Sequence, residues 1–346
     1  MNGYGPLVSV VVPNYNHAQY LHQRIQSILN QTYKNIELIL LDDASTDDSL
    51  DILKQYAQTL PRTRLIVNAR NSGSPFAQWN KGVEMAQGPL VWIAESDDSA
   101  QPELLETLVQ KLQSYPSAVL AFCQSNFMDE TDQILYSYNE NYRYIYKSER
   151  WSTDFFDSGT EECRHYMMLH NSIPNASAVL FQKWAYQKTG GPPIHFKLNG
   201  DWLFYCQIFL HGDLAYSARP LNHFRKHTQT QRHRANANAM AYFEIIELAR
   251  FINENHHPPR ETYLKAQQNF CNWWIGSLFR QKLSLNYFLH NHRLYRHFKA
   301  CRSHLAIRIL YNALWVLGLY LINLLHLKPP LKRLRKWLFP GKYFEH

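Results

Sequence analysis

Between Leu7 and Phe122, short apolar runs alternate with stretches whose apolar residues recur every three or four positions. The short runs are Leu7–Val12, Ile36–Leu41, Arg64–Val67, Leu90–Ala94 and Val119–Cys123. They are β-branched or Leu-rich, as in strands covered on both faces. Helical spacing follows each: Leu21, Ile25, Ile28 and Leu29, then Leu50, Leu53 and Tyr56, then Phe76, Trp79, Val83 and Ala86. The third helix is expected to stop at Gly88, a natural residue after a helix end, and a fourth to start at Pro102 and run through Leu104, Leu105, Leu108 and Leu112. Repeated βα units predict a doubly wound, mostly parallel sheet.

Residues 125–175 are rich in Tyr, Asn and Asp and read as a long connection suited to acceptor contacts. A strand, Ala178–Phe181, comes next, then a helix from near Asp201 to Gly212 and strands Leu214–Ser217 and Leu221–Arg225. From Ala239 onward the pattern is helical only. The expected division is a catalytic domain over residues 1–235 and a helical C-terminal region over 236–346.

The chain has 346 residues, long enough for one large core with an appendage. Its charge of +8 is uneven: residues 328–342 carry Lys328, Lys332, Arg333, Arg335, Lys336 and Lys342 and no acid. Just before them, Ile309–Leu325 is almost wholly apolar, and three readings compete for it: a buried helix, a single membrane span, or a helix lying in the interface. The polybasic stretch with Trp337 and Phe339 favours the interface, within residues 303–343. Positive charge gathered in that one segment, not along a face, argues against nucleic-acid binding. Five dispersed cysteines without CxxC spacing fit a reducing compartment, and the N-terminus lacks a signal-peptide pattern. These features predict a cytoplasmic location, peripheral on the membrane; no oligomeric state is implied.

In an open α/β sheet, ligands bind beyond the carboxyl ends of the strands. There the sequence places Pro13-Asn14-Tyr15-Asn16, Asp42-Asp43-Ala44-Ser45 and Glu95-Ser96-Asp97-Asp98. Asp47 reads as a helix cap. Asp43 and Asp98 are acidic loop tips that would repel unless a cation or donor groups lay between them. No glycine-rich phosphate loop is present, so phosphates need another counter-charge, such as Mg²⁺ or Mn²⁺ held by Asp98 and its neighbours.

Val8–Asn16, Gln31-Thr32-Tyr33, Glu37–Asp47, Asn71-Ser72-Gly73, Asn80-Lys81-Gly82, Ala86-Gln87-Gly88 and Glu95–Asp98 together resemble family 2 glycosyltransferases, in order and spacing, with the likeness extending over roughly residues 6–230. The resemblance implies the GT-A nucleotide-diphospho-sugar transferase fold and inverting, metal-assisted transfer, most commonly from a UDP-sugar, to a glycan or lipid-linked acceptor in envelope polysaccharide or lipopolysaccharide synthesis. It puts Tyr15 against the nucleobase, Asp43 in hydrogen bond with it, Pro13 among the substrate- or nucleotide-binding residues, Asp97 at the ribose or donor sugar and Asp98 on the metal. Glu95 stands where the family often has Asp. Asn199-Gly200-Asp201-Trp202-Leu203 resembles the segment bearing the base, making Asp201 the candidate. Asn222–His227 resembles the family's basic stretch, which implies Arg225 facing the diphosphate and His227 as a metal ligand with Asp98. The rival function is a catalytically silent, membrane-bound assembly factor that binds glycan or nucleotide.

Overall fold

The computed structural model describes residues 5–226, 240–278, 285–301 and 304–324. Two compact units result, Met1–Phe270 and Cys271–His346. The first is built on one sheet. Strands β1 (Val8–Asn14), β2 (Ile36–Asp42), β3 (Thr63–Val67) and β4 (Leu90–Ile93) run parallel in the order β3-β2-β1-β4. Between them lie α1 (Ala18–Leu29), α2 (Ser49–Thr59) and α3 (Pro75–Met85). Val8, Val10, Val12, Leu38, Leu40 and Trp92 pack with Leu21, Ile25, Ile28 and Leu53 in one core, so the buried stripes join the elements the spacing implied.

Beyond β4 come a two-residue strand β5 (Ser99–Ala100), α4 (Leu104–Ser114), and a long β6 (Ala118–Met128) with a short partner β7 (Ile134–Ser137). Helix α5 (Asn139–Tyr146), strand β8 (Phe155–Asp157) and the single turn α6 (Gly159–Glu162) are next. Then come β9 (Val179–Gln182), α7 (Lys183–Thr189), α8 (Gly200–Ile208) and β10 (Asp213–Arg225). The sheet continues β4-β9-β6-β10-β5. β9 runs antiparallel between β4 and β6, so the sheet is mostly parallel in its first half and mixed in its second.

Three local expectations are revised. Leu214–Ser217 and Leu221–Arg225 are one strand, interrupted by register shifts on either side of Pro220, which has no amide to give a ladder. The third helix ends at Met85, with Ala86 already extended, before Gly88. Gly88 is needed for closeness: a Cβ there would lie 2.4 Å from the Leu7 carbonyl oxygen. α4 starts at Leu104, leaving Pro102 in the turn before it.

The first unit also takes in helix α9 (Met240–His256), whose buried Ala241, Ile245, Leu248 and Ile252 belong to a core and whose His256 shares a hydrogen bond with the Cys206 carbonyl of α8. Helix α10 (Arg260–Ser277) spans the boundary between units. The second unit contains α11 (Leu285–Cys301) and α12 (Leu305–Leu324). On α12, Ile307, Leu310, Tyr311 and Leu314 form an exposed apolar stripe at helical spacing. Among the described residues no helix is long and apolar enough to cross a membrane. The basic segment 328–342 lies outside the described residues.

Candidate active site

The carboxyl ends of β1, β2 and β4 share one edge of the sheet, and their loops are sewn together there. Pro13 is still within β1, opposite Leu41, just beyond the last rung with β4, where Ala94 N–H donates to the Val11 carbonyl. The proline therefore sits where that ladder has stopped. Asn14 Nδ2 donates to Asp42 and Ser45, and the Asn16 amide donates to Ser45 Oγ. Asn16 Oδ1 accepts from the Thr46 amide in return. Asn16 and Ala44 both have φ near +60°, a left-handed backbone that non-glycine residues seldom adopt. Asp47 accepts from the Ser49 amide at the start of α2 and from Ala18 at the start of α1. Asp48, not Asp47, holds the N-cap position of α2, and Asp47 ties the first amides of the two helices together from just before it. Tyr15 projects from this rim, 40% exposed.

Asp43 is buried and held tightly. Its Oδ1 accepts from Asn68 Nδ2 at 2.6 Å, the Ser72 amide at 2.9 Å and Gln78 Nε2 at 2.9 Å, and its Oδ2 accepts from Ser72 Oγ at 2.7 Å. The donor groups expected around this acid are protein groups. They fix the 68–78 segment over the edge of β2.

The acidic loop lies on the neighbouring strand end. Asp98 is 1% exposed: its Oδ1 accepts from the Arg225 amide at 2.9 Å, and the Ser177 hydroxyl also donates to its carboxylate. Burial, then repulsion from Asp97, pushes Asp98 up to about 7. Burial and Asp97 likewise lift Glu95 to about 8, although Trp79 Nε1 donates to Glu95 Oε1 at 2.7 Å. Asp97 keeps a partly exposed position. Ser96 Oγ and His17 Nδ1 share a hydrogen bond at 2.8 Å, tying the acidic loop to the β1 loop.

Arg225 is buried, and its guanidinium is spent on protein. It donates to the carbonyls of Asp97 and Asp129 and to Gln23, pairs with Asp132 at 2.6 Å, and lies 4.3 Å over the Tyr20 ring. His227 lies outside the described residues.

Asp201 stands in the first turn of α8 and accepts from the Trp202 amide at 2.7 Å. A packed chain connects it to the acidic loop. A Cβ on Gly200 would lie 2.4 Å from the Phe76 ring, so α8 begins in direct contact with α3. Phe76 meets Trp79 edge-on at 5.4 Å, and Trp79 bonds Glu95. The buried Tyr205 hydroxyl, one turn along α8, is raised by burial and then by the charges of Asp201 and Glu95 together. Its oxygen has no hydrogen-bond partner among the described residues.

Several residues of this region carry weaker signals in the sequence. Arg24 is fully buried, with Nε donating to the Glu95 carbonyl at 2.9 Å. Its signal was present: an arginine three residues from Leu21 and four from Ile28 interrupts the apolar stripe of α1. Ser177 had no such signal, since its place under Asp98 depends on β9 being inserted beside β4.

A mixed sheet with acidic loops at its parallel end and a carboxylate-bearing helix beside them defines a GT-A nucleotide-sugar transferase fold. Residues 9–172 match the model of glycosyl transferase family 2. The glycosyltransferase GlyG of Streptococcus pneumoniae serotype 4 is 39% identical over 132 residues, 38% of this chain and 43% of that protein. Chondroitin synthase of Escherichia coli is 29% identical over 164 residues, 47% of this chain and 22% of the synthase. The chain thus matches less than half the length of either relative. The crystal structure of S. aureus TarS 1–349 in complex with UDP-GlcNAc superposes with a TM-score of 0.60 at 17% identity, covering 78% of this chain and 79% of that one.

Proposed function

We propose that this chain transfers a sugar, with inversion, from a nucleotide-diphosphate donor to a hydroxyl of a glycan or lipid-linked acceptor. The observation that carries the reading is the packed chain from Gly200 through Phe76 and Trp79 to Glu95, because it brings the first turn of α8 beside the acidic loop. UDP is the favoured nucleotide, supported by the UDP-GlcNAc complex of the TarS fold relative. A glycan acceptor is supported by the likeness to chondroitin synthase.

In this reading Asp201 takes the acceptor hydroxyl proton as that oxygen attacks the anomeric carbon. The new carbon–oxygen bond forms as the bond to the diphosphate oxygen breaks, and the diphosphate leaves with the electron pair. Tyr15 offers its exposed ring to the base, while Asp43 holds the 68–78 segment that borders it.

The acidic loop suits Mg²⁺ or Mn²⁺, because it gathers the carboxyl groups of Glu95, Asp97 and Asp98 beside one buried cation, Arg24, and burial with mutual repulsion keeps Glu95 and Asp98 from ionising readily unless a further cation offsets them. Among the described residues no group of three or more His, Cys, Asp or Glu side chains is placed to hold a metal ion. Asp97, the more exposed of the pair, would make the contact, and Asp98 would support the loop from below. A bound cation would stabilise charge on the departing diphosphate.

Association with an anionic membrane surface belongs to the same reading, supported by the stripe on α12 and the basic segment after it.

Melting curves of the full chain with a panel of nucleotide sugars, with and without Mn²⁺, test the donor, since a binder raises the melting point by mass action. Donor hydrolysis is then measured in Asp97→Asn and Asp201→Asn. Asp97→Asn is expected to lose the stimulation of turnover by Mn²⁺, and Asp201→Asn to lose turnover itself. Undiminished turnover in both removes the mechanism, and binding without turnover over a broad acceptor panel favours the silent assembly factor.

A further inference from the structure

The segment that delivers Asp201 is held by a residue far outside the matched family region. The amides of Lys197, Leu198 and Asn199 all point at the carboxylate of Glu244, on α9, at 2.5, 3.2 and 2.9 Å. Asn199 Nδ2 adds a fourth bond at 3.0 Å, and Glu244 is only 5% exposed. Successive backbone amides converging in this way form an anion-binding concavity. Here the anion comes from the chain itself.

The position matters because α8 and Asp201 come directly after it in the chain. Asn199 is the residue preceding α8, and its side chain makes no capping bond to that helix. The buried carboxylate of Glu244 therefore supplies fixed order at an entry the local sequence leaves uncapped. On the other side, Gly200 is pressed against Phe76, leaving no room even for a methyl group. Lys197 Nζ also donates to the Gly73 carbonyl at 3.0 Å, joining this entry to the segment that Asp43 holds. The start of α8 is thus gripped between α3 and α9, with Asp201 one residue beyond the grip.

We propose that Glu244 is a positioning residue for transfer: its carboxylate, by gathering the amides of residues 197–199, fixes the direction in which Asp201 meets the acceptor hydroxyl. The proposal rests on the reading of Asp201 as the base. It also gives α9 a part in the site, although the family match ends at residue 172.

The test uses the full chain carrying Glu244→Gln, which keeps shape but turns an N–H₂ toward the amides, alongside Glu244→Ala and Asp201→Asn. Melting shifts with UDP report donor binding. Hydrolysis of UDP-glucose and UDP-N-acetylglucosamine gives kcat and KM, and amide hydrogen exchange reports order at residues 197–201. The expected result is a fall in kcat of about 10–100-fold at an unchanged donor KM and UDP shift, because a misdirected base slows chemistry without loosening the donor. Faster exchange confined to 197–201 should accompany it.

Unchanged exchange in Glu244→Gln overturns the proposal whether or not either donor is hydrolysed. So does a kcat within about twofold of wild type, a joint loss of UDP binding, or a Glu244→Gln chain that no longer folds, which would make the residue structural. Turnover surviving Asp201→Asn while the Glu244 variants lose order at 197–201 would remove the base reading and leave the clamp as geometry alone.

Discussion

The buried guanidinium of Arg24 donates to the main-chain carbonyl of Glu95 from beneath the acidic loop, and its centre lies 5.0 Å over the Trp92 ring. Burial drags Arg24 down to about 10, while Asp98, Asp97 and Glu95 pull it back up. One of its terminal nitrogens, Nη2, has no hydrogen-bond partner among the described residues. The residue acts as a fixed internal cation for a loop that carries three carboxyl groups.

Replacing Arg24 with Met keeps much of the packing and removes that charge. Breaking a buried charge arrangement from one side costs about 3 kcal/mol or more. Chemical denaturation of Arg24→Met should show a loss of that size; a change under about 1 kcal/mol would show the charge to be dispensable.

Asp98 and Glu95, lifted to about 7 and about 8 by burial and then by Asp97, make stability depend on pH. In the unfolded chain such groups ionise near about pH 4. Their contribution is full below that value and is lost as pH rises through the folded values, where each must ionise against burial. The metal-free protein should therefore melt at progressively lower temperature from about pH 5.5 to about pH 8, and Mn²⁺ should flatten the slope by favouring the ionised forms. Melts in EDTA and in Mn²⁺ measure both; a melting point rising across that interval in EDTA would contradict the assignment.

Arg225 separates two roles that the sequence motif runs together. Its bonds to Asp97, Asp129, Gln23 and Asp132 need a planar fork, which lysine lacks. Arg225→Lys should destabilise by about 2 kcal/mol while UDP affinity of the folded protein stays within about threefold. Calorimetric titration with UDP decides: a tenfold loss at unchanged stability would return Arg225 to the diphosphate.

The stripe Ile307, Leu310, Tyr311 and Leu314 should make membrane binding depend on apolar area as well as charge. Leu310→Ser with Leu314→Ser should reduce co-sedimentation with vesicles containing anionic lipid by roughly tenfold. Equal binding by variant and wild type would assign any attraction to the basic segment alone.

Much of the first half is legible in the sequence because its signals are local. The apolar runs of β1, β2 and β4 and the spacing of α1 and α3 state their partners through period alone, and the acidic loop tips lie where those strands end. Asp43 reads as an acid needing company, but the sequence does not name that company. Asn68, Ser72 and Gln78 reach it only because β3 pairs with β2 and α3 folds back over them. Arg225 reads as a basic residue near phosphate, and the fold buries it; the carbonyls that receive it come from loops about one hundred residues earlier.

The sequence by itself determined the parallel βα core, the acidic strand ends and the family, since each is written in short-range pattern and ordered motif. The tertiary structure alone decided that β9 enters antiparallel, that Asp98 faces inward while Asp97 keeps the rim, and that Glu244 grips the entry to α8. Those outcomes depend on which distant segments come to lie side by side, and burial and charge pairing act only after that choice is made.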